Sequence, residues 1–269
     1  MSEYNSKHSD TAESSKSKKV IYYIIIGIAS LALVVTSIWG GCKIFGGRTN
    51  EFLEYKNSNP TPPTESTDTA PLPENPINFT DIQAKNPDVC AWIQVDGTII
   101  DYPILQSTPQ NDDNFYLDHD INGEKKKAGS IYIQKLNHDD FSDPNTVIYG
   151  HNMLNGTMFG QLKKFRGKEF FDQNRYIYIY TPGHILKYEI ISAFVYDDRH
   201  ILNSFNFNVD SDCKDFFNTC VNPQSLTKQV TDNAELTLFD KIITLSTCTS
   251  NDSERYLVIG KLISDTETA

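Results

Sequence analysis

The chain has 269 residues, and its 35 acidic against 24 basic side chains give a net charge of −11. That balance excludes a nucleic-acid partner for the folded part, while the length and 39% hydrophobic content allow one large core or two small ones. Five cysteines without framework spacing give little sign of a disulfide scaffold.

Residues 1–19 are polar and Ser/Lys-rich, closing on Lys16, Lys18 and Lys19, and read as a cytoplasmic tail. From Val20 to Cys42 there is no charged residue. That run is long enough for a membrane helix, which needs about 20 apolar residues to cross a hydrocarbon core of roughly 30 Å. A cleaved signal peptide would have a shorter apolar core and a small-residue cleavage site. A lipid-anchored Cys42 fits poorly with Trp39 three residues before it. Residues 43–78 carry six prolines from Pro60 to Pro76 among Thr, Ser and Asn, a linker composition that cannot form a core.

The folded domain is expected over 79–269. Thr80 to Gln83 has capping-box spacing for a short helix before Pro87. Trp92–Val95, Asp96-Gly97 and Thr98–Ile100 read as a β-hairpin, because Asp-Gly tolerates the positive φ of a tight turn. Further strands are expected at Ser130–Gln134, Thr146–Tyr149, Tyr176–Tyr180 and Ile185–Val195, with Pro182-Gly183 turning the chain between the last two. Met158, Phe159, Leu162 and Phe165 fit one helix face, and Cys213, Phe216, Phe217, Cys220 and Val221 fit another. Ile242–Leu245 and Tyr256–Ile259 have strand composition around a short polar loop. Strands outnumber helices, which suits a closed or nearly closed barrel.

The chemistry concentrates at two strand ends. Thr244-Leu245-Ser246-Thr247-Cys248 ends in a thiol, with Arg255 opening the next strand, and Tyr149-Gly150-His151-Asn152-Met153 ends another strand in a histidine. A thiolate is favoured beside a fixed positive charge, and a cysteine with a histidine distant in sequence is the arrangement nucleophilic thiol chemistry uses. A serine hydrolase built on Ser246 and His151 is the chemical rival, with the weaker nucleophile. His119, His138, His184 and His200 are scattered without metal-ligand spacing, and no metal or cofactor is expected.

These two motifs, with Arg255, resemble the three catalytic motifs of the sortases, class B. The likeness extends through Asn86-Pro87-Asp88-Val89, Trp92-Ile93, Ile100–Ile104, Asn114-Phe115-Tyr116-Leu117, Gly129-Ser130-Ile131 and Met158-Phe159. The resemblance implies the sortase β-barrel, with the helix near 211–221 as the class B insertion between late strands. It implies a membrane-anchored cysteine transpeptidase of a Gram-positive cell surface, acting through a thioacyl intermediate with the catalytic domain outside; the alternative is a thiol peptidase that only hydrolyses, with water in place of the amine. Its partners would be secreted proteins bearing a sorting signal and a cell-wall peptide amine, or a pilin lysine, as acceptor. Cys248 would be the nucleophile, His151 the proton donor and acceptor, and Arg255 the holder of substrate or oxyanion. Tyr149, Ser246 and Asn114 would contact substrate. The Thr249 backbone N–H is a possible second oxyanion donor on the same reading.

Overall fold

The computed structural model describes residues 52–56 and 72–269, residue 252 excepted; the tail, the apolar run at 20–42 and most of the linker lie outside them. Nine strands form one sheet: β1 (Val89–Val95), β2 (Asp101–Gln106), β3 (Ile131–Ile133), β4 (Asn145–Tyr149), β5 (Tyr176–Thr181), β6 (His184–Asp197), β7 (Lys228–Val230), β8 (Ile242–Cys248) and β9 (Glu254–Glu267). Their order is β5-β1-β2-β3-β4-β8-β9-β6-β7, and β5 also pairs with β6. Eight strands therefore close a barrel, and β7 lies outside the ring against β6. Closure removes the open edges that a flat sheet would expose.

Alternation along the strands divides the apolar residues into two clusters. Ile148, Ile243, Leu245, Tyr256 and Val258 belong to a cluster with Phe159, Leu162 and Phe165 that fills the barrel. Val147, Ile242, Leu257 and Ile259, on the opposite faces of the same strands, pack with Cys213, Phe216, Phe217 and Cys220 of the helix α4 (Asp210–Val221). The apolar stripe expected at 213–221 is thus the face by which this helix covers the outer wall. Cys213 and Cys220 are unbridged core residues there.

Three local expectations change. The first helix, α1 (Phe79–Lys85), is capped by Asn78 rather than Thr80: the Asn78 side chain accepts from the Asp81 N–H at 3.2 Å. The partner strand of β1 begins at Asp101, not Thr98. The Thr98 hydroxyl donates to the Val95 carbonyl (2.8 Å) and accepts from the Ile100 N–H (3.0 Å), so it widens the turn around Gly97, whose φ is +67°.

The helix expected from Met158 to Phe165 is broken. Met158 has φ +53° and bridges back to Asn152, and only Leu162–Arg166 coils, as a 3-10 turn. A Cβ on Gly160 would lie 2.4 Å from the Met153 carbonyl, so the chain folds back too tightly there for a continuous helix. All four apolar residues are nevertheless buried. Two short helices without an apolar sequence signal complete the set: α2 (Lys168–Gln173) and α3 (Ile201–Ser204).

Upstream of Phe79 the chain is already attached to the barrel. Tyr55 and Ile77 are buried, Lys56 pairs with Ile77 in a β-bridge, and Lys56 makes an ion pair with Asp101.

Candidate active site

Strands β4 and β8 are parallel neighbours in the register Thr146↔Ile243 through Tyr149↔Ser246. Parallel strands end at the same pole, so one further step past Gly150 and Thr247 sets His151 beside Cys248 on chains about 4.8 Å apart. Three bonds carry the pairing beyond the regular ladder. Gly150 N–H donates to Ser246 O (3.3 Å), Thr247 Oγ1 donates to Gly150 O (2.7 Å), and Asn152 Nδ2 donates to Cys248 O (3.0 Å). On its other side β8 pairs antiparallel with β9, and there Cys248 is opposite Arg255. Period two puts Ser246 and Cys248 on the outward face of β8, and Tyr149, Arg255 and Leu257 on the matching faces of their strands.

These residues line one cleft of about 220 Å³, which holds Cys248, His151, Arg255, Tyr149, Ser246 and Asn114 together. All six residues that the motifs single out are thus on one surface. Cys248 is exposed, whereas Ser246 is only 5% exposed. A peptide carbonyl reaches the sulfur more easily than the hydroxyl, which weighs against the serine hydrolase.

The histidine is held by a group with no side-chain signature. His151 Nε2 lies 2.8 Å from the Leu117 carbonyl. A carbonyl only accepts, so Nε2 carries the proton and Nδ1 is the nitrogen left for exchange. The Thr249 N–H, expected as an oxyanion donor, points instead at the Glu254 carbonyl (3.4 Å), closing the loop between β8 and β9. Arg255 Nη1 donates to the Glu254 carbonyl at 3.0 Å, which fixes one arm of its fork. Asn152 follows His151 in the same motif, but no motif or spacing pointed to its amide as a donor to the Cys248 carbonyl.

The cleft wall is aromatic. The Tyr149 ring stacks on Tyr132 with centroids 5.4 Å apart, and its hydroxyl is buried without a partner among the described residues. Burial, then the neighbouring Tyr132 and Asp113, raise its phenol pKa, so it stays a neutral donor. Such a hydroxyl is satisfied by a polar atom of a bound ligand or by water. Acidic side chains near the cleft serve their own loops: Asp112 and Asp113 accept from the Asn114 and Lys135 N–H groups, and Asp197 holds Arg199. No group of three or more potential metal ligands occurs among the described residues.

The sortase family domain matches residues 93–263. Sortase B of Listeria monocytogenes is 38% identical over 189 residues, which cover 68% of this chain and 73% of that protein. The Staphylococcus aureus sortase B–substrate complex superposes with a TM-score of 0.60 at 26% identity, covering 70% of this chain and 85% of that one. A Streptococcus pyogenes class B sortase involved in pilus biogenesis superposes with a TM-score of 0.58 at 32% identity, covering 69% and 97%.

Proposed function

The chain belongs to the sortase family, class B, a family of cysteine transpeptidases, and from that footing we propose that it is a membrane-anchored enzyme joining secreted proteins to a cell-wall amine through a thioacyl intermediate. The observation carrying this reading is the pair of ladders around β8, which bring His151 to one side of Cys248 and Arg255 to the other. In the reaction, Cys248 Sγ attacks the carbonyl carbon of a threonine in the substrate's sorting signal. Arg255 stabilises the developing oxyanion with a permanent charge. His151, an imidazolium once Nδ1 has taken the Cys248 thiol proton, gives that Nδ1 proton to the departing amine as the C–N bond breaks, leaving a thioester. The acceptor amine then attacks the thioester, His151 takes its proton, and the Cys248 sulfur leaves to regenerate the enzyme.

Tyr149, Ser246 and Asn114 hold the sorting peptide along the cleft. The apolar run at 20–42 anchors the chain with its N-terminus in the cytoplasm and the barrel outside, and the Pro-rich linker carries the barrel. Peptides of the Asn-Pro-x-Thr and Ser-Pro-x-Thr types, incubated with the chain with and without diglycine, test the reaction by mass spectrometry. A product ending in threonyl-diglycine is transpeptidation. Only a free threonine carboxylate identifies a hydrolase, and no cleavage of any peptide removes this substrate class. A second reading, polymerisation of pilins on a lysine amine, draws support from the Streptococcus pyogenes relative, and replacing diglycine by a lysine-bearing peptide separates the two acceptors.

A further inference from the structure

One buried side chain joins the two walls of the cleft. Gln134, just past the end of β3, is 4% exposed. Its Nε2 is 2.9 Å from Asn114 Oδ1 on one wall, and its Oε1 is 2.7 Å from His200 Nε2 on the other. The direction of this chain of bonds is fixed at its far end. The Asn203 backbone N–H, shared with the His200 carbonyl, caps α3 by donating to His200 Nδ1 at 3.2 Å. A backbone N–H cannot accept, so Nδ1 is bare and Nε2 carries the proton. The Gln134 oxygen must then face His200, and its NH2 must face Asn114. Asn114 Oδ1 receives that donor and a second from the Tyr132 hydroxyl at 3.2 Å, which fills both its lone pairs. The exposed Asn114 Nδ2 has no partner among the described residues and is left as a donor beside the cleft that holds Cys248.

Resting on the reading of this cleft as the peptide site, we infer that Gln134 is a positioning residue which, with His200, sets Asn114 to recognise a hydrogen-bond acceptor of the substrate. The whole relay is neutral, so it orients without adding charge near the thiol. Reversing its polarity turns the Asn114 amide over and presents an oxygen where the substrate needs a donor.

Gln134→Glu does this, because a carboxylate accepts from His200 but cannot donate to Asn114. With a quenched-fluorescence Asn-Pro-Ala-Thr peptide and the full chain, KM rises roughly tenfold, the size of one lost hydrogen bond, while kcat stays within about twofold. On an Asn114→Leu background, which already lacks the donor, Gln134→Glu adds nothing further. An unchanged KM, a fall confined to kcat, or additive effects of the two substitutions overturn the assignment.

A second measurement needs neither variant folding nor turnover. In 15N-histidine-labelled wild-type chain, the His200 imidazole is protonated at Nε2 and bare at Nδ1; a proton on Nδ1 in the neutral ring refutes the relay. Full cleavage by Cys248→Ala would remove the thiol mechanism but leave this tautomer reading intact, so the two proposals fail separately.

Discussion

Two clefts of this molecule each contain a cysteine and a histidine, and the larger is not the one equipped for thiol chemistry. A groove of about 720 Å³ is lined by Cys90 and His184, while the cleft of about 220 Å³ holds Cys248 and His151. In the groove the Cys90 sulfur lies 3.5 Å from the Ile104 carbonyl, and burial, then the negative charge of Asp139, raise its pKa far above an ordinary thiol's. His184 Nδ1 is engaged by Asp265 at 2.7 Å. In the cleft the sulfur is exposed and paired in register with an arginine. Exposure and a neighbouring cation are what favour thiol reactivity, and the smaller cleft has that setting while the larger groove does not.

The sharpest way to break this comparison is to exchange alanine for each cysteine. Cys248→Ala is expected to lower peptide turnover by on the order of 10⁴-fold or more, whereas Cys90→Ala leaves turnover within about twofold and costs roughly 1 kcal/mol of stability. Steady-state cleavage and urea unfolding of both variants decide it, and equal losses would dissolve the distinction. The cation comes next. Arg255→Gln should reduce kcat by roughly 10²–10³-fold, and Arg255→Lys should recover only part of it, since a single ammonium lacks the guanidinium fork. Full recovery by lysine would mean that charge alone suffices.

The smallest effect lies in the groove and the outer-wall core. The Cys90 and Cys220 thiols are raised, first by burial. Their contribution to stability is complete below the unfolded thiol's pKa of about 8.5 and is lost as pH rises above it, because the unfolded chain releases protons that the native one keeps. Each thiol steepens the loss by up to about 1.4 kcal/mol per pH unit between roughly pH 8.5 and 10. Cys90→Ala should lower the slope by up to about 1.4 kcal/mol per pH unit in urea unfolding measured across the interval. An unaltered slope would show that the Cys90 thiol ionises in the native state.

Much of the site was legible because its chemistry is concentrated in motifs. Cys248, His151 and Arg255 each stand at the start or end of an apolar run, and Tyr149 and Ser246 fall inside the same two motifs. What escaped were groups that act through the backbone or across long separations. The Leu117 carbonyl holds His151 whatever side chain residue 117 carries. Gln134 sits at a strand end like many polar residues, and only its contacts 20 residues upstream and 66 downstream give it a role. The expected helix at 158–165 failed for a related reason. Its apolar spacing reported burial correctly, but Met158 at φ +53° and the crowded Gly160 show the chain folding back on Asn152 and Met153 instead of coiling.

Period-two patterning, β-branched composition and turn residues are local properties of the chain, so the sequence by itself determined a mainly β domain, and its motifs singled out Cys248, His151 and Arg255 as candidates. Strand order is not local. Only the tertiary structure decided that β4 and β8 run parallel as neighbours although about a hundred residues separate them, because that choice rests on which outer faces α4 can cover and which inner faces fill one closed core. The same choice turned three separated residues into one cleft.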